Sequence, residues 1–169
     1  MSAGRGLVEA WGVLGVVALL GSGVARLVPH AAEALASPLG VVGWVGATGI
    51  VAFMAYVEGY RGFHLRFSPR VVARARWIAR EPRRLRVMLA PMLCMGLLVA
   101  TRRRLLASWA LTAMILFFIV AVRALPHPWR GLVDLGVVFG LSIGCLSILY
   151  WWRVASRGGA LPVGPDAPD

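Results

Sequence analysis

Four stretches of this chain are each apolar over roughly the length of a membrane-spanning helix, and that restricts the fold more than any motif does. They run from about residue 7 to 27, 39 to 57, 105 to 122 and 131 to 152. A spanning helix needs about 20 apolar residues, because mid-bilayer holds no water for backbone amides and carbonyls and the chain must bond them internally. Hydrophobic residues make up 59% of the sequence, against about 45–50% in soluble domains. The sequence predicts an all-α, polytopic transmembrane helix bundle. Residues 1–156 form a single integral membrane domain, and 157–169, rich in Gly, Pro, Ala and Asp, form a disordered tail. Arg5 and the Ala34-Leu35-Ala36 triplet give the first segment a superficial likeness to a signal peptide. Glu9 interrupts the start of its apolar run and the triplet lies well beyond the end, so the expectation is an uncleaved first helix.

Charge orients the bundle. All 18 basic residues are arginine, giving a net charge of +11, and twelve of them fall between Arg61 and Arg104. Arginine codons are GC-rich and lysine codons are not, so this usage points to a high-GC, bacterial genome. Within the central section a shorter apolar segment, residues 87–100, carries Pro91 and Gly96 and is flanked by Arg83, Arg84 and Arg86 on one side and Arg102, Arg103 and Arg104 on the other. Its fourteen residues reach only about 21 Å as a helix, short of a core about 30 Å thick. It is either re-entrant or a short fifth span. Cytoplasmic loops retain arginine. Four full spans put all but Arg26, Arg123 and Arg130 inside, a split of fifteen to three. Five spans turn Arg102, Arg103, Arg104, Arg153 and Arg157 outward with Arg26, a split of twelve to six. The count favours four spans with both termini cytoplasmic, in an inner membrane.

Residues 69–80 read as a basic amphipathic surface helix. Ser68 supplies a hydroxyl N-cap and Pro69 suits the first helical position. Val71, Val72, Ala75, Ile78 and Ala79 fall on one arc, with Arg70, Arg74, Arg76 and Arg80 outside it, and Pro82 follows the end. The expectation is a helix on the cytoplasmic leaflet, its arginines (with Arg83, Arg84, Arg86 and Arg102–Arg104) contacting anionic lipid or an acidic partner. The alternative is a helix packed on the protein's own loops. The charge clusters at the ends of apolar segments, which argues for membrane lipid and against nucleic acid as the partner.

Small residues mark packing faces. Gly136, Gly140 and Gly144 recur every fourth position in the last span, and Gly40, Gly43, Gly46 and Gly49 every third in the second, so the two helices are natural partners, within one chain or between copies in a homo-oligomer. Glu58, Tyr60, Arg61 and His64 close the second span. At the membrane boundary they make the candidate polar cluster, able either to hold a proton or merely to pair charge and anchor the interface. Glu9 and Asp134 sit near span ends, leaving no acid expected at mid-membrane. His30, His64 and His127 lack metal-ligand spacing, and Cys94 and Cys145 read as buried thiols rather than a disulfide. No metal or cofactor is expected.

Nothing in the sequence has the pattern of a nucleophile elbow, a phosphate-cradling loop or an acidic metal pair, so the reading leans away from an enzyme. The leading expectation is a small non-catalytic membrane protein that binds a membrane-protein partner or organises a complex. A transporter or channel component built on Glu58, Tyr60, Arg61 and His64 is second. A membrane-embedded lipid or quinone enzyme is third.

Overall fold

A computed structural model describes residues 3–97 and 102–164, and every regular element in them is helical. Helix α1 (Ala3–Ala36) runs to a short turn at 37–39, and a single continuous helical rod returns alongside it. The rod comprises α2 (Gly40–Met54), a wide-turned stretch π1 (Ala55–Phe67) and α3 (Ser68–Arg80). Two short helices follow, α4 (Arg84–Met88) and α5 (Ala90–Met95), then α6 (Arg102–Arg123) and α7 (Trp129–Ser156). Among the described residues three helices are long and apolar enough to cross a membrane: Gly4–Ala36, Gly40–Arg80 and Trp129–Ser156. These three pack together as the body of the molecule.

The direction of α7 follows from a ladder of contacts. Gly131 meets His30 and Ala34, Trp129 meets Gly46, Gly136 meets Ile50 and Met54, Gly140 meets Glu58, and Gly144 meets Phe63. Farther along, Arg76 donates to the Ala155 carbonyl. As α7 advances, its partner on the rod advances too, so α7 lies parallel to the rod and antiparallel to α1. One end of the bundle carries the 37–39 turn and the start of α7. The other carries α3, the start of α1 and the end of α7, and is called the arginine end below.

The sequence ends the second span near residue 57 and starts a fresh helix at Ser68. The structure joins them. Phe67 keeps a helical backbone, the Ser68 side chain caps nothing, and its hydroxyl is buried without a partner. The wide turns of π1 explain how a proline is tolerated inside the rod. There each N–H reaches back five residues rather than four, as Ser68 does to the Phe63 carbonyl. Pro69 has no N–H to give the His64 carbonyl next in line. That carbonyl instead accepts from the Trp151 indole of α7 at 3.0 Å. A tertiary contact thus repairs the gap in the helix ladder.

The expected lipid-facing surface helix is corrected by the same packing. The apolar arc of α3 is closed by protein: Val71, Ala75 and Ile78 share a core with Val13 and Val16 of α1, Ala90, Leu93 and Cys94 of α5, and Ile148 of α7. Val72 and Ala79 are buried as well. Valine and alanine on these helices let the backbones approach, and truncating a fully buried Ile in such a core costs about 2–5 kcal/mol. Helix α5 completes the enclosure. Pro91 fits against Gly15, while Ala90 and Cys94 both face Gly12. One face of α5 therefore crosses α1 at Gly12 and Gly15, and Gly96 ends α5 at φ +77° where a Cβ would strike the Arg74 guanidinium. The Trp11 indole fastens the start of this segment by donating to the Val87 carbonyl at 3.0 Å. Residues 98–100 of the expected 87–100 segment lie outside the described residues.

Residues 157–164 follow α7 without regular secondary structure. Gly158, at φ +85°, turns the chain out of α7, and the Gly159 amide donates back to the Val154 carbonyl at 3.0 Å. A Cβ at Gly159 would lie 2.6 Å from the Val154 side chain, so the two glycines together direct the chain back over α3, where Gly159, Leu161 and Val163 line a shared hollow. Residues 165–169 of the expected disordered tail lie outside the described residues.

Candidate functional site

The polar cluster expected at the end of the second span divides across π1. Its wide turns set Tyr56, Tyr60 and His64 in one file, with ring centroids 6.2 and 5.7 Å apart. His64 turns toward α7, where its Nδ1 lies 2.9 Å from the Ser147 hydroxyl in a hydrogen bond. Tyr150 and Trp151 bracket its ring at 5.7 and 5.6 Å. Glu58 belongs to another face. Its carboxylate fits into the notch left by Gly140, where a Cβ would stand 2.6 Å from Oε2. Arg61 is exposed, and among the described residues Glu58 makes no ion pair with it. The structure thus brings Tyr60 and His64 together and separates Glu58 and Arg61 from them.

Depth is the larger change. The sequence puts Glu58 at the edge of its own apolar run and no acid at mid-membrane. Against its neighbour it stands level with Gly140, midway between Arg130 and Arg153, the charged limits of α7. A carboxylate packed against a helix apolar enough to cross a membrane is retained only at a cost, which makes it a functional candidate.

The glycine faces meet larger partners than expected. Gly136, Gly140 and Gly144 receive Ile50 and Met54, Glu58, and Phe63, while Gly43 lies against Leu39 and Gly46 against Trp129. The α7 stripe is thus filled within the chain by side chains of the rod. Gly59 answers from the other side, against Ile143.

Several arginines expected to face lipid are engaged internally. Arg74 is only 7% exposed and donates to the Cys94 carbonyl at 3.2 Å, capping α5 where helical carbonyls run out of donors. Arg76 pairs with Glu9 through Nε at 3.3 Å and also reaches the Ala155 carbonyl at the end of α7. The Trp152 indole donates to the same Glu9 oxygen at 3.1 Å. One buried carboxylate therefore ties α1, α3 and α7 together. Arg86 stacks over Trp77 at 4.7 Å and lies 3.8 Å from Glu81. Arg70 is half-buried, whereas Arg80, Arg83 and Arg84 are exposed. The side chains of Arg102, Arg103 and Arg104 lie outside the described residues.

No family model, curated protein or solved structure matches this chain.

Among the described residues, no three of His, Cys, Asp and Glu gather closely enough to hold a metal ion. Burial pushes the Cys94 thiol up to about 12, the Arg74 guanidinium pulling the other way, so it is a packing residue rather than a nucleophile. His127 is exposed. His30 has a buried Nδ1 without a partner, beside Gly131. The residues that sequence reasoning missed are Ser147, Trp151 and Trp152. The two tryptophans had a legible signal, since a buried indole N–H requires an acceptor. A serine in a spanning helix carries none, because it can bond its own backbone.

Proposed function

We propose that this chain is a non-catalytic integral protein of a bacterial inner membrane that binds a partner helix within the bilayer. The observation that carries the reading is the state of α6. Its 22 residues are mostly apolar, yet among the described residues its main neighbour is α7 alone. Leu106, Trp109, Met114, Leu116, Phe117 and Val120 all point away from the bundle, Phe117 being 75% exposed. Lipid tails are as apolar as leucine, so a helix in the bilayer is not driven onto its own bundle by hydrophobicity. It docks where packing is complementary. A helix left at the side of a closed bundle is free to give that packing to another protein or to a second copy. A photo-crosslinking amino acid at Phe117 is expected to give one discrete protein adduct in native membranes, and mild detergent to release a stoichiometric complex or a stable homo-oligomer. Lipid adducts alone, together with a clean monomer, would overturn the reading.

The topology we attach to it has four spans, a re-entrant 87–100 segment and both termini in the cytoplasm. The parallel run of α7 and the rod supports this. If the rod ends at the cytoplasmic face and α7 begins at the other, one net crossing separates them, and α6 supplies it. A fifth span would reverse α7. Cysteines placed at Arg103 and Ser156 are expected to label only from the cytoplasm, and labelling of both from outside would sink the four-span model. On this orientation the arginine end faces anionic headgroups.

A second reading, a proton-coupled transporter component, is favoured by one observation: the Glu58 carboxylate in the Gly140 notch at the middle of α7. Reconstituted vesicles are then expected to show a solute flux that Glu58→Gln abolishes. A flux unaffected by that change removes the site.

A further inference from the structure

Where the tail folds back over α3, it borders a half-open hollow of about 180 Å³ lined by Ala73, Arg76, Trp77, Arg80, Leu161 and Val163, with Gly159 at its edge. Two kinds of wall meet there. Arg76 and Arg80, one helical turn apart on α3, form the basic wall. Ala73, Trp77, Leu161 and Val163 form an apolar wall. Arg76 is held in place by Glu9 and the Ala155 carbonyl, whereas Arg80, among the described residues, makes no hydrogen bond or ion pair that would compete with a ligand. The tail wall is fixed by the backbone of Gly158 and the space at Gly159. In depth, the hollow lies beside Ala155, just past Trp152 and Arg153, where the apolar run of α7 stops. Its volume is several times the roughly 30 Å³ share of one water, so a phosphate group fits.

We propose that this hollow binds a phosphate group, carried by an anionic phospholipid headgroup or free in solution. The guanidinium groups take the phosphate oxygens by charge-assisted hydrogen bonds, Arg80 as the unengaged donor and Arg76 as the fixed one. Leu161, Val163 and Trp77 cover the adjoining carbon chain. The inference rests on the orientation given above and is independent of what α6 binds.

The test is native mass spectrometry of the full chain in mild detergent, titrated with phosphatidylglycerol, phosphatidylcholine and inorganic phosphate. Arg80→Gln, by losing one charge-assisted contact, and Leu161→Glu, by setting a carboxylate against the phosphate, are each expected to weaken phosphatidylglycerol retention about tenfold. Arg83→Gln, an exposed arginine outside the hollow, is expected to leave it unchanged, as is the helical content of all three variants. Displacement of the lipid by millimolar phosphate assigns the site to the free anion, and resistance to displacement assigns it to the lipid. Equal weakening by Arg83→Gln would overturn the site while leaving a general attraction to anionic leaflets intact. Retention of phosphatidylglycerol no better than phosphatidylcholine would overturn both.

Discussion

Helices α3 and α6 reverse the usual relation between polarity and burial. α3 carries four arginines in 13 residues, yet its apolar arc and Arg74 are enclosed by three other helices. α6 is apolar along most of its 22 residues, yet it points large side chains such as Leu106 and Phe117 away from the bundle. In water this arrangement would be costly. In a bilayer, apolar surface gains little by leaving lipid, and what draws helices together is close packing and the satisfaction of polar groups. α3 has both: small residues that fit against Gly12 and α5, and guanidinium groups that complete the open carbonyl ends of α5 and α7. Among its described side chains α6 buries Val122 alone.

The contrast can be broken at several points. The largest effect is chemical. In detergent, Cys94 is expected to react with a neutral maleimide at pH 8 on the order of a thousandfold more slowly than a cysteine substituted for Phe117, because its thiol is enclosed and its ionisation pushed up to about 12. Comparable rates, read by peptide mass spectrometry, would mean that α5 does not stay closed on α3.

Packing comes next. Ile78→Ala is expected to lower stability by about 3 kcal/mol, measured by steric trapping or thermal unfolding in micelles. A change below about 1 kcal/mol would place the α3 arc against lipid after all. Glu9→Gln leaves Arg76 beside the bundle without its counter-charge and takes an ionised acceptor from Trp152. We expect about 2 kcal/mol, less than for a fully buried pair because Arg76 is partly exposed. Arg76→Gln made alongside it should restore part of the loss, and strict additivity would show that the pair is not coupled. The smallest effect belongs to α6. Phe117→Ala should change the stability of the isolated chain by less than about 0.5 kcal/mol while removing the crosslinked partner. A large loss of stability would show that α6 belongs to the bundle.

Much of this was legible in the residues. The apolar runs gave the helices; the Val71–Ala79 arc and Pro82 gave the length of α3. Two things were not. Hydropathy marks where one helix stops being apolar, but the depth of a residue is set by the helix beside it. Glu58 looks terminal on its own segment and central against Gly140. Likewise the amphipathic pattern of α3 is the same whether lipid or protein covers its apolar face. The choice depended on Gly12, Gly15 and Pro91, residues far away in the chain whose meeting no periodicity announces. The Ser68–Pro69 pair misled for a related reason: it is a good place to begin a helix, but Trp151 supplies the missing donor and lets the helix continue.

That repair makes the spacing of π1 a fixed quantity. Each residue added to or removed from 55–67 would turn α3 relative to α2 by somewhat less than the ~100° per residue of an α-helix. One insertion would swing Arg74 off α5 and Arg76 off Glu9, and it would move the His64 carbonyl away from Trp151. Point substitutions along the exposed side of this stretch should be tolerated widely and single-residue insertions not at all. The length of the segment, more than its composition, is what the packing of α3 depends on.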